Sequence, residues 1–426
     1  MSWRETLGPL SRTVESVFPG DAELDRLLAS RRKLRIKLGL DLTSTEVTIG
    51  NEIPLRVLGR FQEEGHTAVL ILGDFTALVG DPSGRDRMRP QLDRAQVEEN
   101  GRTWLGQISE ILDVERAEVH RNSEWLSRLG SEEMVRLAGR MTVAQMLERD
   151  SFAKRYGQNA PIHLHELLYC LLQGYDSIAV KADVELGGSD QTFNLNVGRT
   201  LQKGVGQPPQ VCVICTLLEG VDGAQKMSKS LGNSIGLRTP PKDMFGLATR
   251  VPDRLVPKYL RLATDLADPE IEALLEGDIW EAKKCMAEAL VARHHGAEAA
   301  ARERAEFERV FKHKQPPQDR RVVHLRASAE GSAGVRVKPP VAKPPTGTAA
   351  APGTVAEALE MPQPFTIMIL VKNVFRVSGS EAKRLVRQGA VSIDDKKITD
   401  PQQVVDVKGG EILRAGKRRY VTLHIA

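Results

Sequence analysis

Residues 34–74 read LRIKLGLDLTSTEVTIGNEIPLRVLGRFQEEGHTAVLILGD, and this stretch decides the fold. Its first run, LRIKLGL, alternates as a strand does, IPLRVLGRFQEEG reads as a helix, and HTAVLILGD is typical of a second strand. Strand-like runs followed by helix-like stretches continue through AEVHRNS, SIAVKADVELGG and VCVICTLL. This alternation predicts an α/β fold with a mainly parallel sheet, whose ligands bind beyond the carboxyl ends of the strands.

The chain is 426 residues long, enough for two or three domains. The alternating part predicts a sheet domain over residues 1–240. Strand signals vanish over residues 241–320, which predicts a separate helical domain. Residues 321–361 contain a tract rich in Pro, Gly, Ala and Lys that predicts a flexible linker. Apolar periodicity returns over residues 362–426 and predicts a small α+β module.

The composition excludes few classes of protein. Hydrophobic residues make up 41% of the chain and charged residues 27%, and the net charge of +4 identifies no partner. Four cysteines are too few for a disulfide scaffold and suit a reducing compartment. The N-terminus has no signal-peptide pattern, and no apolar run is long enough to span a membrane. We therefore expect a cytoplasmic protein with no membrane partner.

The sharpest local signal is GAQKMSKSLGN, residues 223–233. Lys226 and Lys229 are interleaved with two serines and followed by glycine. A mobile loop of this kind places two ammonium groups and small donors on a polyphosphate. The plainer interpretation is a solvated basic loop. Its position after the last strand of a nucleotide-type fold favours the phosphate site.

A second polar cluster lies in LHELLYCLLQGYD, residues 164–176. Tyr169, Gln173 and Asp176 share one face of the predicted helix. They would be poor core residues among leucines but good donors and acceptors for a small polar ligand. A solvent-facing polar stripe is the alternative interpretation.

Two strand ends carry further polar residues. GGSDQ, residues 187–191, has glycines that let a ligand approach the backbone. GDFTALVGDPSG, residues 73–84, places Asp81 in a similar position, although this sequence is also ordinary turn chemistry.

Together these motifs resemble one family, the bacterial-type tyrosyl-tRNA synthetases, which are class I aminoacyl-tRNA synthetases. The resemblance is carried by LGLDLTS, GDFTALVGDPSGR, HRNSEWLSRL, MTVAQMLERDSFAKRY, the run from LHELLYC to NLNVGR, and QKMSKSLGN. It implies an α/β fold with a Rossmann-like catalytic domain, a helical anticodon-region domain and a small C-terminal α+β RNA-binding domain. It also implies a homodimer that uses ATP with Mg²⁺, L-tyrosine and tRNA(Tyr).

The resemblance further implies a role for individual residues. It assigns tyrosine binding to Asp81, Tyr169, Gln173, Asp176 and Gln191. It assigns ATP binding to Gly39, Asp41, Gly50, Asp190 and Lys229. It assigns catalysis to Thr43, Thr48, Asn51, Lys226 and Lys229. Asp176 would accept a hydrogen bond from the substrate phenol, and the two lysines would neutralise the departing pyrophosphate. No protein ligand for a metal is predicted.

The first strand–helix turn departs from the family pattern. Where the family has H-x-G-H, this chain has Thr48-Ile49-Gly50-Asn51. Asn51 keeps an amide donor, whereas Thr48 is shorter than histidine and neutral. Losing one preorganised donor to developing charge costs about 10²–10³ in rate. We therefore expect slower adenylation that is not abolished.

The C-terminal segment has a charge of its own. Residues 365–426 contain twelve Lys and Arg against six Asp and Glu, a net charge of +6. Lys383, Arg384 and Arg387 lie on one predicted helix, SGSEAKRLVRQGAV. The segment resembles an RNA-binding domain shared with a ribosomal small-subunit protein, and basic groups on one face would bind phosphates. A basic surface without a partner is the alternative.

Three lesser patterns receive plain interpretations. Cys212 and Cys215 form a C-x-x-C that we interpret as strand packing, since no second Cys/His pair lies at zinc spacing. The HLHE stretch (residues 163–166) reads as polar residues at a helix start. The His294-His295 pair reads as solvated helix surface.

Three functions remain open at this point. The first is a tyrosine–tRNA ligase. The second is a synthetase-derived RNA-binding or regulatory paralogue with weakened or lost activation, which the altered turn supports. The third is a tRNA-independent adenylating enzyme, against which the basic C-terminal segment argues.

Overall fold

The computed structural model describes residues 2–82, 92–313, 315–318, 320–327, 336–337, 356–361, 364–416 and 419–425. The chain divides into two compact units, Met1–Glu303 and Arg304–Ala426. Each unit has a β-sheet of its own.

The first unit is built around a six-stranded sheet. Its strands are β1 (Val14–Phe18), β2 (Arg35–Asp41), β3 (Thr67–Gly73), β4 (Glu118–Arg121), β5 (Val184–Gly188) and β6 (Val211–Cys215). Their order is β1-β6-β5-β2-β3-β4. β1 pairs with β6 in the antiparallel sense, and the other neighbours are parallel. The predicted mainly parallel α/β sheet is therefore confirmed.

Helices occupy the connections between these strands and follow the last of them. The helices up to β5 are α1 (Trp3–Leu7), α2 (Asp21–Ala29), α3 (Ile49–Glu63), α4 (Thr76–Val79), α5 (Arg94–Ile108), α6 (Ser123–Leu126), α7 (Ser131–Ala138), α8 (Val143–Leu147), α9 (Asp150–Gly157) and α10 (Leu164–Ala179). Those after β5 are α11 (Thr192–Gly204), α12 (Pro241–Ala248), α13 (Val256–Ala263), α14 (Asp268–Glu276), α15 (Ile279–His295) and α16 (Ala297–Phe311).

The β2–α3–β3 stretch folds as its pattern predicts. α3 begins after Thr48, whose hydroxyl accepts a hydrogen bond from the Asn51 N–H at 3.3 Å. Ile53, Val57 and Phe61 recur at helical spacing and are buried, so the helix has one continuous apolar face. β2 and β3 lie side by side in parallel, which brings both carboxyl ends to the same edge of the sheet.

A buried ion pair joins β2 to β5 in the centre of the sheet. Lys37 and Glu185 are paired across the two strands, and Lys37 Nζ lies 2.9 Å from Glu185 Oε1. The Lys37 ammonium also donates to Ser177 Oγ at 2.8 Å and to the Gln173 carbonyl at 3.1 Å. Glu185 Oε2 accepts from the Ser177 hydroxyl at 3.0 Å and from the Gln210 amide. These partners satisfy two charges that would otherwise be costly to bury.

The helices α12 to α15 belong to the same compact unit as the sheet. The boundary predicted at residue 240 does mark the change from strands to helices, but the first unit continues to Glu303. Polar contacts explain the continuity. Arg12 Nη1 lies 2.8 Å from Asp268 Oδ1, and its Nε donates to the Arg261 carbonyl at 2.7 Å.

The second unit contains a seven-stranded sheet. Its strands are β7 (Arg321–Ala327), β8 (Arg336–Val337), β9 (Ala356–Met361), β10 (Val391–Ile393), β11 (Lys396–Ile398), β12 (Ile412–Ala415) and β13 (Arg419–Ile425), in the order β11-β10-β12-β13-β7-β9-β8. Two helices, α17 (Ile367–Val374) and α18 (Gly379–Arg387), contribute Leu370, Val371 and Val386 to its buried core. A small α+β module is present, as predicted.

The linker predicted over residues 321–361 is wrong at both ends. β7 pairs in parallel with β13, and β9 pairs in parallel with β7. Val323, Leu325 and Leu359 explain the difference, because alternate positions in these strands enter the core of the second unit. The part of the predicted linker at residues 328–335 and 338–355 lies outside the described residues.

Among the described residues, no helix combines the length and the apolar character needed to cross a membrane.

The Lys37–Glu185 pair yields a prediction about stability. Lys37→Met should lower the free energy of unfolding by about 3–5 kcal/mol, because it leaves Glu185 as an unpaired buried charge. Lys37→Met combined with Glu185→Leu should recover most of that loss, and denaturant titration measures both.

Arg102→Met is the matched control. Arg102 pairs with Glu99 at 2.8 Å, but both side chains are exposed, so its loss should cost less than about 1 kcal/mol. Similar losses for Lys37→Met and Arg102→Met would contradict the role given to the buried pair.

Candidate active site

One cavity of about 990 Å³ opens at the carboxyl ends of β2 and β5. Its lining includes every residue predicted for catalysis, ATP binding and tyrosine binding: Gly39, Asp41, Thr43, Thr48, Gly50, Asn51, Asp81, Tyr169, Gln173, Asp176, Asp190, Gln191, Lys226 and Lys229. The parallel sheet explains the convergence, since it brings successive strand ends to one edge. A Cβ at Gly39 would meet nothing within 4 Å, so this strand residue leaves open space in the cavity.

Asp176 is a buried acceptor in the cavity wall. Its Oδ1 accepts from Trp125 Nε1 at 2.7 Å, and its Oδ2 accepts from Asn122 Nδ2 at 3.2 Å. Burial raises the pKa of Asp176 to about 7, while the charge of Lys37 and the two hydrogen bonds act in the opposite direction. Sequence reasoning missed Asn122 and Trp125, although the HRNSEWL motif contains both.

Tyr169 is bonded to a carboxylate of the cavity. Its hydroxyl donates to Asp41 Oδ2 at 3.0 Å, and Asp41 Oδ1 accepts from the Thr76 hydroxyl at 2.7 Å. Burial, followed by the charges of Asp41 and Asp81, raises the pKa of Tyr169 well above its usual value. The phenol therefore stays protonated and acts as a donor here.

Asp81 is held by a buried arginine that sequence reasoning also missed. Arg149 Nη2 lies 3.2 Å from Asp81 Oδ1, and only 5% of the Arg149 side chain is exposed. Its Nη1 donates to the Cys170 sulfur at 3.2 Å. An isolated arginine before a helix carries no spacing signal from which this contact could be predicted.

Gln191 connects the predicted tyrosine and ATP groups. Its Nε2 donates to Asp81 Oδ2 at 2.8 Å and lies 3.4 Å from Asp190 Oδ2. Its Oε1 accepts from Asn194 Nδ2, which also donates to Gln173 Oε1 at 2.9 Å. A single amide thus stands between Asp81, which is predicted to bind tyrosine, and Asp190, which is predicted to bind ATP.

The two lysines of residues 223–233 are both paired with carboxylates. Lys226 Nζ lies 2.6 Å from Asp190 Oδ2, and Lys229 Nζ lies 3.0 Å from Glu46 Oε1. Lys229 also donates to the Thr45 hydroxyl at 3.3 Å. Asp190 Oδ1 is buried and has no hydrogen-bond partner among the described residues, as an acceptor reserved for a ligand hydroxyl would be.

The divergent turn forms a reciprocal cap on α3. The Thr48 N–H and hydroxyl both donate to Asn51 Oδ1, at 3.1 Å and 2.8 Å, while the Asn51 N–H donates to the Thr48 hydroxyl. The Asn51 oxygen is therefore used within the turn, and its NH₂ group is the end available to a phosphate. A Cβ at Gly50 would lie 3.5 Å from Met227 Cβ, so the lysine-bearing segment packs directly over this turn.

The lesser patterns have mixed outcomes. Cys212 and Cys215 are buried in β6 without a disulfide, which confirms their interpretation as strand packing. His163 is the N-cap residue of α10, as expected for a polar residue at a helix start. The interpretation of His294 as solvated surface is wrong, because only 6% of its side chain is exposed and its Nε2 lies 3.3 Å from Glu52 Oε2.

The second unit presents the predicted basic helix. Lys383, Arg384 and Arg387 are exposed on α18, while Ala382 and Val386 on the opposite side are buried. Packing thus leaves the three cations on the solvent side of the helix.

Comparisons with known proteins agree with this geometry. A family model described as tRNA synthetases class I (W and Y) matches residues 29–312, and an S4 domain model matches residues 368–412. A tyrosine–tRNA ligase of Moorella thermoacetica is 41% identical over 424 residues, covering 97% of this chain and 94% of that protein. A tyrosine–tRNA ligase of Symbiobacterium thermophilum is 41% identical over 404 residues, covering 93% of this chain and 91% of that protein.

Solved structures agree on the fold. A C-terminally truncated mitochondrial tyrosyl-tRNA synthetase of Aspergillus nidulans superposes with a TM-score of 0.59 at 22% identity, covering 73% of this chain and 94% of that one. The family model spans most of the chain and the curated relatives exceed 40% identity over almost all of it. The chain therefore belongs to the tyrosyl-tRNA synthetase family of the class I aminoacyl-tRNA synthetases.

Proposed function

We propose that this chain is a tyrosine–tRNA ligase, which activates tyrosine with ATP and transfers the tyrosyl group to tRNA(Tyr). The observation that carries this proposal is the convergence of all the predicted tyrosine, ATP and catalytic residues on one cavity. Gln191 supports it further, because it contacts both Asp81, which is proposed for tyrosine binding, and Asp190, which is proposed for ATP binding. Two substrates that react with each other need such adjacent sites.

Activation requires the tyrosine carboxylate to attack the α-phosphorus of ATP. A bond forms between a carboxylate oxygen and that phosphorus, the bond to the bridging oxygen of the β-phosphate breaks, and pyrophosphate leaves. No bond to the protein forms. Lys226 and Lys229 neutralise the leaving charge, for which they exchange Asp190 and Glu46 for phosphate oxygens.

The tyrosine side chain is recognised by its hydroxyl. Asp176, fixed by Trp125 and Asn122, accepts a hydrogen bond from the phenol. Phenylalanine would leave this buried acceptor unpaired, which costs about 1–3 kcal/mol or more for a charged group. The ammonium group of tyrosine binds near Asp81, Tyr169 and Gln173.

Transfer consumes the adenylate. A ribose hydroxyl at the 3′ end of tRNA attacks the tyrosyl carbonyl carbon, the bond from that carbon to the phosphate oxygen breaks, and AMP leaves. The exposed cations of α18 contribute to RNA binding through phosphate contacts, whose affinity falls steeply as salt rises.

Three finer statements belong to the same proposal. Mg²⁺ enters as magnesium–ATP, because this ion is held mainly by the phosphates of the substrate. The enzyme is a homodimer, which would cover exposed apolar residues of the α7–α10 region such as Val135, Val143 and Leu164. Cysteines without disulfides suit the cytoplasm.

A regulatory RNA-binding paralogue is the second candidate. The observation that favours it is the cap in which Thr48 and Asn51 bond to each other. If this cap held no ATP phosphate, tyrosine activation would be lost while RNA binding persisted.

Tyrosine-dependent exchange between ATP and pyrophosphate separates the two candidates. The wild-type protein should show measurable exchange, and Thr48→His should raise its rate by about tenfold or more, since a preorganised donor is worth about 10²–10³ and the lost cap offsets part of it. Thr142→His is the matched control, because Thr142 caps α8 with Gln145 in the same reciprocal arrangement.

No exchange by the wild type, together with normal tRNA binding, would favour the paralogue. An unchanged exchange rate in Thr48→His would show that the turn does not limit the rate of tyrosine activation.

Asp176 yields a prediction about pH. Its pKa of about 7 means that the carboxylate needed to accept the hydrogen bond from the phenol is progressively lost below that pH. Tyrosine affinity, measured by calorimetric titration between about pH 5.5 and 7.5, should therefore fall as the pH falls, approaching about tenfold per unit at the acid end.

Asp176→Asn should bind tyrosine more weakly at every pH in that range and lose this dependence, because the amide does not titrate. The same pH dependence in Asp176→Asn would assign the titration to another group.

A further inference from the structure

The C-terminal end of α15 contacts the first turn of α3. Glu52 follows Asn51 in that turn, and 4% of its side chain is exposed. Two groups of α15 face its carboxylate: Arg293 Nη1 lies 3.6 Å from Oε1, and His294 Nε2 lies 3.3 Å from Oε2. A carboxylate this buried is stable only beside such partners, so α15 holds the start of α3 in place.

Arg293 is itself fixed by other groups. Its Nη2 lies 2.7 Å from Asp265 Oδ1, and its Nη1 donates to the Ala263 carbonyl at 2.7 Å. Asp265 also pairs with Arg56, which lies in α3. The charges around Glu52 therefore form one connected cluster that ties α3 to α15 at two points.

His295 holds the segment on the other side of the turn. Its Nε2 donates to the Thr239 carbonyl at 2.8 Å, and the Thr239 hydroxyl accepts from the Gly236 N–H at 2.9 Å. Gly236 is paired with Thr48 in an antiparallel bridge. The end of α15 thus reaches both the helix that follows Thr48 and the segment that lies beside it.

We propose that Arg293, His294 and His295 are positioning residues for the turn at residues 48–51, where the ATP phosphates would bind. The inference rests on the proposed function. Thr48 and Asn51 bond to each other. The turn therefore offers a phosphate its backbone and one side-chain amide, where the family pattern H-x-G-H has two histidine rings. Such short donors act only where the backbone places them, and a misplacement of about 1 Å can cost up to about 10²-fold in rate.

The test compares His294→Leu with His294→Gln in tyrosine-dependent exchange between ATP and pyrophosphate. His294→Leu removes the polar group that faces Glu52 and should lower kcat about tenfold, with the KM for tyrosine unchanged because that pocket is not touched. His294→Gln keeps a polar side chain facing Glu52 and should retain most of the wild-type kcat.

Lys283→Met is the matched control on the same helix. Lys283 is buried and lies 2.6 Å from Asp253 Oδ1, but Asp253 is not part of α3. This variant loses an ion pair of α15 between a buried lysine and an exposed carboxylate, and it should keep the wild-type kcat even if its melting temperature falls.

Hydrogen–deuterium exchange of residues 48–53 tests positioning without relying on activity. Uptake there should rise in His294→Leu and stay at the wild-type level in Lys283→Met. Unchanged uptake in His294→Leu, or an equal rise in both variants, would overturn the inference. Absent pyrophosphate exchange in the wild type would instead overturn the proposed function, so the two failures are distinguishable.

Discussion

A buried ion pair between two neighbouring parallel strands sets the inner wall of the cavity. Lys37 on β2 reaches Glu185 on β5, and the same ammonium bonds Ser177 and the Gln173 carbonyl of α10. Because Ser177 and Gln173 flank Asp176 in sequence, this contact fixes the helix that carries the phenol acceptor. A charge pair so deeply buried tolerates few geometries, and that constraint places the tyrosine groups relative to the sheet.

The ATP side of the cavity depends on weaker and more exposed contacts. Lys226 pairs with Asp190 and Lys229 pairs with Glu46. Both lysine side chains are nearly half exposed. Ion pairs of this kind contribute little stability and exchange readily with phosphate oxygens. The cavity therefore combines a deeply buried side, proposed to bind the amino acid, with partly exposed cations, proposed to bind the nucleotide.

Much of the fold and the site could be predicted, because periodicity and motifs are local in the sequence. The β2–α3–β3 stretch and the lysine-bearing loop carry their signals within a few residues. Arg149 and His294 could not be found in this way, since their importance arises from Asp81 and Glu52, which lie far away in the chain. The prediction of a linker over the ends of residues 321–361 was wrong for a related reason. These residues form strands because β7 pairs with β13 and β9 pairs with β7.

The central claim is that a cap made of Thr48 and Asn51 still supports the complete reaction of the family. Aminoacylation of tRNA(Tyr) by the purified full chain, with tyrosine and magnesium–ATP, tests it most directly. Tyrosyl-tRNA should form in amounts that exceed the enzyme, which requires repeated activation and transfer. Binding of tRNA(Tyr) without any tyrosyl-tRNA formed, even at enzyme concentrations equal to the tRNA, would contradict it.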